Sequence, residues 1–216
     1  GTGKTLCVQY VLQKLREHVV SKGLDVFVVY VNVGKTRSPY FTLLEIVRAI
    51  GVNVPSSGWQ FSRLKEEFER VRNGRPIVIA LDEVESLVLK EREPLIYYLN
   101  RQPNVTLVLI SNKFEDITML PDRAKSTLQP LPVKFGAYTK EKAKQILVER
   151  VAKAFQPNVV PEWLLDRLGV VAEKRGDLRI CFNVLLTAGL LAEKAGKSQI
   201  EEEHVMEAAK IINHTI

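Results

Sequence analysis

Two short segments carry residue types that suit phosphate chemistry, and the first opens the chain. Residues 1–5 read GTGKT and stand directly before an amphipathic stretch. Glycines let backbone N–H groups turn toward phosphate oxygens, Lys4 adds a cation, and the Thr5 hydroxyl suits Mg²⁺. The alternative is a chance glycine turn before a helix. The residues predicted to bind nucleotide phosphate are Gly1, Thr2, Gly3, Lys4 and Thr5.

The second segment is an apolar run that ends in two adjacent carboxylates, Asp82 and Glu83. Such a pair permits a division of labour, in which Asp82 holds Mg²⁺, usually through water, while Glu83 polarises the attacking water. The alternative is a solvated strand end, where acidic residues are common. Because the chain also carries the phosphate loop, we predict ATP hydrolysis, with Thr5 and Asp82 as the Mg²⁺ site.

Two further polar residues stand at positions from which they could reach a phosphate. Asn112 follows an apolar run, and ligands of open α/β sheets lie at the carboxyl ends of the strands. Asn112 could therefore orient water, although asparagine after a strand is ordinarily a turn residue. Arg179 stands at the start of a predicted helix. The alternative for Arg179, favoured by spacing alone, is a pair with Asp177.

The elements that must position these residues alternate between helices and buried strands. Runs of β-branched and aromatic residues predict strands at 25–33, 76–81 and 105–110. Helical periodicity predicts helices at 40–50 and 59–73. Strands separated by helices require crossover connections, so the predicted fold class is α/β, a parallel sheet with helices on both faces. In the helix predicted after the phosphate loop, the apolar residues at three- and four-residue steps are Leu6, Val8, Val11, Leu12 and Leu15.

The second part of the chain is predicted to be entirely helical. After about residue 136 the strand pattern disappears, and four amphipathic helices follow, one of them capped by Asp177. We therefore predict an α/β domain at 1–135 and a small all-helical domain at 136–216. The first strand and the front half of the phosphate loop are expected upstream of Gly1, so the sheet should lack a central strand.

Composition and charge exclude several classes of protein. The 216 residues are 46% hydrophobic and 26% charged, which is typical of globular domains and not of disordered or collagen-like chains. We find neither a membrane-length apolar run nor a signal peptide, and expect a cytoplasmic protein without a membrane partner. The net charge of +6 lies mainly in residues 1–135, which hold 19 basic and 14 acidic residues. That excess suits a polyanionic partner and a solvated basic surface equally well.

Further segments share their order and spacing with one family. They are RSPY at 37–40, GVNVP at 51–55, LPDRAKSTL at 120–128, YT at 138–139, GDLR at 176–179 and AGLLAE at 188–193. Together with GTGKT, LDE and ISN, they resemble the archaeal origin recognition complex and cell division control protein six family of AAA+ replication initiator ATPases. The resemblance covers nearly the whole chain and implies an AAA+ ATPase domain followed by a helical lid.

The resemblance also implies roles for individual residues. Asp82 and Glu83 correspond to the Walker B pair, Asn112 to sensor 1. Arg179 corresponds to sensor 2. Arg123 stands where the family carries its candidate arginine finger, which acts on a neighbour's ATP because a desolvated guanidinium stabilises charge on the γ-phosphoryl group. Without the resemblance, Arg123 would be read as a surface loop residue. The cofactors implied are ATP or ADP and Mg²⁺.

By the same resemblance, residues 33–58 correspond to a helical insertion that touches origin DNA. Lys35 and Arg37 are the candidate phosphate contacts, although Tyr40 and Phe41 suit packing of the insertion on the core. In the family a winged-helix domain that reads duplex DNA follows the lid; we predict none within these 216 residues and therefore expect them to bind duplex DNA only weakly. A neighbouring AAA+ subunit and the replicative helicase are the other partners that the resemblance implies.

The predicted function is that of a slow, nucleoid-associated ATPase in replication initiation, which binds origins and loads the helicase with its ATP state as a switch. The alternative is a regulatory or paralogous AAA+ or STAND-type ATPase that binds nucleotide and protein partners without recognising origins. The helical insertion argues against a clamp loader.

Overall fold

The computed structural model describes residues 1–55, 58–113 and 126–212. Arg123, to which the resemblance assigns an arginine finger, lies outside the described residues, as does most of the segment 120–128. The chain forms two compact units, an α/β unit and a helical unit.

The α/β unit, Lys4–Pro132, alternates helices and strands. In chain order its elements are α1 (Lys4–Ser21), β1 (Phe27–Asn32), α2 (Val33–Thr36), α3 (Pro39–Ala49), α4 (Phe61–Arg72), β2 (Ile77–Asp82), a 3₁₀ turn (Val84–Ser86), α5 (Leu89–Asn100) and β3 (Val105–Leu109). The described strands form one parallel sheet in the order β1-β2-β3. Its register sets Asn32, the last residue of β1, opposite Asp82, the last residue of β2, so both side chains stand at the same sheet edge.

Helices cover both faces of this sheet, which confirms the predicted α/β fold class. Side chains alternate along a strand, so Val29 and Val31 point toward α3, α4 and α5, whereas Tyr30 points toward α1. The fully buried side chains of the first face include Leu43, Leu44, Ile46, Leu64, Phe68, Ile77, Ile79, Leu81, Leu95 and Leu99.

The helix predicted after the phosphate loop is confirmed, but two of its apolar residues do not belong to the core. Leu12 and Val19 are buried on one side of α1, whereas Leu6 and Val11 are 65% and 55% exposed. At 3.6 residues per turn, Leu6 stands about 120° around the helix from Leu12. The apolar steps in the sequence therefore spread over more than one side of the helix.

The helical unit comprises Val133–Ile216 together with Gly1–Gly3. Its helices are α6 (Lys140–Ala154), α7 (Glu162–Arg175), α8 (Leu178–Lys194) and α9 (Glu202–Ile211), as the sequence predicts. Their shared core includes Leu147, Leu164, Leu168, Cys181, Val184, Ala188 and Val205. Among the helices of the described residues, none is long and apolar enough to cross a membrane.

Candidate nucleotide-binding site

The loop predicted to bind phosphate leads directly into α1. Gly3 has a φ of +84°, in the left-handed region that favours glycine, and Lys4 is the first helical residue. The amino end of α1, where backbone N–H groups lack helical partners and the helix dipole is positive, therefore follows the loop. Lys4 and Thr5 are both half-buried.

Thr5 and Asp82 meet although 77 residues separate them in the chain. The Thr5 hydroxyl donates a hydrogen bond to Asp82 Oδ2 at 2.7 Å. Asp82 ends β2 on the sheet face that α1 covers, and it is only 1% exposed. The structure thus brings together the two residues predicted to hold Mg²⁺.

The other hydrogen bonds to the Asp82 carboxylate within the described part of the chain come from neutral donors as well. The Tyr30 hydroxyl donates to Oδ2 at 2.7 Å, and the Glu83 backbone N–H donates to Oδ1 at 2.9 Å. Burial, and then the hydrogen bond to Asp82, raises the pKa of Tyr30 above its ordinary 10.0, so this hydroxyl remains a donor at neutral pH. Buried carboxylates are generally paired with a cation or coordinate a metal. The hard oxygens of Thr5 and Asp82 therefore fit Mg²⁺.

Glu83 occupies an uncommon backbone conformation at the turn after β2. Its φ of +56° lies in the left-handed region, which non-glycine residues rarely adopt. Two backbone hydrogen bonds hold the turn: Val84 N–H donates to Ile110 O at 3.1 Å, and Ser86 N–H donates to Glu83 O at 2.9 Å. The Glu83 side chain is exposed, and its Oε1 accepts from Asn32 Nδ2 at 3.3 Å.

The Glu83 carboxylate also lies against α2. Asn32 caps this short helix, because its Oδ1 accepts the Lys35 N–H at 3.0 Å while its Nδ2 faces Glu83. A Cβ at Gly34 would collide with Glu83 Oε2, so only glycine leaves room for the carboxylate in this position. Neither Asn32 nor Gly34 was predicted from the sequence to belong to the site. The available signal was a polar residue at the end of a buried strand, as at Asp82.

The predicted insertion begins with α2 and α3. Lys35 and Arg37 are exposed, and Arg37 Nε donates to the Gly34 carbonyl at 3.0 Å. Tyr40 is partly buried against the core of the α/β unit, whereas Phe41 is 47% exposed. The basic side chains and the packing residues of the insertion are therefore different groups.

Asn112 stands three residues after β3 ends, and it is hydrogen-bonded to the turn that follows β2. Its Nδ2 donates to Glu85 Oε1 at 2.6 Å, and Asn112 itself is exposed. The second carboxylate oxygen of Glu85 is buried and has no hydrogen-bond partner within the described residues. The contact between Asn112 and Glu85 was not predicted from the sequence.

Arg179 belongs to the helical unit, where it pairs with Asp177. Its Nη2 donates to Asp177 Oδ2 at 2.7 Å, and its side chain is 73% exposed. The Arg179 guanidinium holds the pKa of Asp177 well below its usual range, with burial opposing that shift. In the same unit, the Gly1 nitrogen lies 3.1 Å from Asp177 Oδ1, and the Tyr138 hydroxyl donates to Thr2 O at 3.1 Å.

Comparison with known proteins identifies the family to which this pair of units belongs. Residues 1–117 match the family model of the AAA domain, and residues 144–210 match that of the Cdc6 AAA+ ATPase-type lid domain. The chain belongs to the Orc1/Cdc6-type AAA+ family. It is 31% identical to the ORC1-type DNA replication protein 1 of Sulfurisphaera tokodaii, over 96% of this chain and 54% of that protein.

Solved structures of the Orc1/Cdc6 type have the same fold. The Aeropyrum pernix ORC1 protein, solved in complex with DNA, matches with a TM-score of 0.86 and 30% identity over 98% of this chain and 57% of that one. Cdc6p of Pyrobaculum aerophilum matches in fold with a TM-score of 0.81 at 18% identity, over 98% of this chain and 58% of that one. The chain thus spans little more than half the length of these relatives.

Proposed function

We propose that this Orc1/Cdc6-type chain binds ATP or ADP with Mg²⁺, hydrolyses ATP slowly, and uses its nucleotide state as a switch in the initiation of DNA replication. The observation that carries the proposal is the hydrogen bond between Thr5 and Asp82. It joins the phosphate loop and the end of β2 at one oxygen-rich point beside the amino end of α1. The similarity to ORC1-type replication proteins supports the role in replication.

Each proposed residue has a distinct chemical task. Lys4 and the backbone of Gly1–Gly3 bind the phosphates, and Thr5 and Asp82 hold Mg²⁺, which when bound neutralises phosphate charge. Glu83 polarises the attacking water.

Three further residues complete the proposed nucleotide response. Asn112 orients the attacking water, and the proposed arginine finger Arg123 acts on the ATP of a neighbouring AAA+ subunit. Arg179 responds to the γ-phosphate, for which it must exchange its present partner Asp177. The proposed domain boundary near residue 135 assigns Arg179 to the lid and Asn112 to the ATPase domain.

Duplex DNA is the proposed macromolecular partner, with the replicative helicase as a further one. One similar protein, the Aeropyrum pernix ORC1 protein, was solved in complex with DNA. In this chain the exposed side chains of Lys35 and Arg37 suit phosphate contacts of a sequence-independent kind. We propose that they supply part of a weak affinity for duplex DNA.

Replacing Lys4 by alanine tests the nucleotide site. The change removes charge-assisted hydrogen bonds to phosphate, each of which contributes roughly 1.5–3 kcal/mol, so ADP affinity should fall about tenfold to hundredfold. Isothermal calorimetry with ADP and Mg²⁺ measures the change. The matched control is Lys14→Ala on the same helix, where Lys14 is exposed and paired with Glu17. Equal affinities for Lys4→Ala and the parent would refute the phosphate site.

A further inference from the structure

The Tyr30 hydroxyl shares a carboxylate oxygen with Thr5. Tyr30 lies in β1 opposite Ala80, two residues before Asn32, which is opposite Asp82. Because side chains alternate along strands, the side chains of Tyr30 and Asp82 lie on one face of the sheet. The Tyr30 hydroxyl and the Thr5 hydroxyl each donate to Asp82 Oδ2 at 2.7 Å.

Three donors fix the orientation of the Asp82 carboxylate. Both lone pairs of Oδ2 are engaged by the two hydroxyl groups, and Oδ1 accepts the Glu83 N–H at 2.9 Å. In this contact the Tyr30 hydroxyl is the donor and the carboxylate oxygen is the acceptor. Without Tyr30, the carboxylate would lose one of the two hydroxyl donors to Oδ2 and could turn away from Thr5.

We propose that Tyr30 is a positioning residue for the Mg²⁺ site, and that its hydroxyl holds the Asp82 carboxylate in the orientation that Mg²⁺ binding requires. This inference rests on the proposed function, in which Thr5 and Asp82 hold Mg²⁺. Hydrogen-bond partners of metal ligands commonly change metal affinity by about 10–100-fold, because they orient the ligand and set its basicity. A role limited to packing would depend on the Tyr30 ring and not on its hydroxyl.

The test compares two tyrosines that each lose only a hydroxyl group. Tyr30→Phe keeps the ring beside Asp82. Tyr98→Phe is the matched control, because the partly buried Tyr98 lies in the same unit and its hydroxyl donates to Glu69 Oε1 at 2.9 Å, with the Lys65 carbonyl oxygen 3.2 Å away. Binding of a fluorescent ADP is measured in EDTA and over a titration with MgCl₂, and circular dichroism checks that each variant is folded.

We expect Tyr30→Phe to bind ADP in EDTA as the parent does, but to need about tenfold more Mg²⁺ for half of the metal-dependent gain in affinity. Tyr98→Phe should need the same Mg²⁺ concentration as the parent. If the Mg²⁺ concentration that Tyr30→Phe requires is within twofold of the concentration that the parent requires, the inference is overturned. If the phenylalanine variant fails to fold, Tyr30→Met carries the same test with the same two outcomes.

Failure of the proposed function gives a different result from failure of the inference. A parent chain that binds no nucleotide, or binds it without a Mg²⁺-dependent gain, refutes the proposed function and the role of Tyr30 with it. A parent with a clear Mg²⁺-dependent gain that Tyr30→Phe leaves unchanged refutes only the role of Tyr30.

Discussion

Gly34 controls where the proposed water-polarising carboxylate lies, although glycine itself contributes no chemistry. The Glu83 carboxylate occupies the space that a Cβ at residue 34 would fill. The flexible end of Glu83 can move aside, so the alanine variant should fold. Alanine also has a higher helix propensity than glycine, which favours folding of α2.

We therefore predict that Gly34→Ala lowers the rate of ATP hydrolysis about tenfold to hundredfold, because a shift of about 1 Å in a catalytic group costs that much. ADP affinity should stay at the parent value, since Glu83 is not a proposed phosphate ligand. A phosphate-release assay measures the rate. The control is Gly136→Ala, where a Cβ would meet open space. Parent-level hydrolysis by Gly34→Ala would contradict this role for Glu83.

At the same scale, the sequence predicts some of the site and not the rest. Asp82 and Glu83 were predictable because two adjacent carboxylates end an apolar run. Tyr30 was not, because a tyrosine fits a strand of aromatic and β-branched residues. Asn32 is a polar residue at the end of a buried strand, but only the register of β1 against β2 shows that it lies beside Glu83. Contacts across 50 or more residues depend on that register, which local patterns do not contain.

At the scale of the element, Asp177 makes the stability of the start of α8 depend on pH. Its side chain caps the helix by accepting the Arg179 N–H at 2.8 Å, and it also accepts from the Arg179 guanidinium. The pKa of Asp177 is lowered in the folded state from its ordinary 3.8, chiefly by Arg179. A carboxylate whose pKa is lowered on folding stabilises the folded state above pH 3.8. This stabilisation is lost as the pH falls through the pKa of the carboxyl in the folded state.

The helical unit should therefore unfold at lower urea concentration as the pH falls below about 4. The fluorescence of Trp163, in α7, reports this unfolding in a Trp59→Phe background. Asp177→Asn keeps a good capping side chain but cannot titrate, so its urea midpoint should depend less steeply on pH below 4. Glu193→Gln, at an exposed position near the end of α8, should retain the pH dependence of the parent. Identical slopes for Asp177→Asn and the parent would contradict the assignment.

Helix α5 was not predictable from the periodicity of apolar residues in the sequence. Its buried residues include Leu95, Ile96 and Leu99, but Arg92 is also buried, at 5% exposure. The Arg92 guanidinium donates to the Leu87 carbonyl at 2.9 Å, and Pro94 stands inside the helix. A buried charge and an internal proline both break the apolar pattern, so the sequence does not predict a helix there. The helices with uninterrupted apolar steps were predicted to within a few residues.

At the scale of the whole molecule, we expect DNA binding to depend on where the basic residues lie and not only on the net charge. Phosphate contacts release counterions, so affinity for duplex DNA should fall steeply as salt concentration rises. Lys35→Gln combined with Arg37→Gln should lower the slope of log affinity against log salt by about one for each lost contact. Fluorescence anisotropy with a labelled duplex at several salt concentrations measures the slope.

The control for that experiment removes the same total charge elsewhere. Lys22 and Lys210 are exposed, one just beyond the end of α1 and the other in α9. Lys22→Gln combined with Lys210→Gln should leave the salt slope close to that of the parent. If both double variants reduce the salt slope equally, DNA affinity depends only on the net charge of the chain, and the insertion makes no specific phosphate contact.

At Glu83, stability and the proposed water-polarising role favour different residues. Its left-handed backbone conformation costs a non-glycine residue on the order of 1 kcal/mol, so glycine at this turn would relax the chain while removing the carboxylate. Selection for stability alone should therefore replace Glu83 early, whereas selection for hydrolysis should retain it. Among descendants of such a gene, we expect glutamate at this position in the lineages that hydrolyse ATP and other residues in the lineages that keep only the fold.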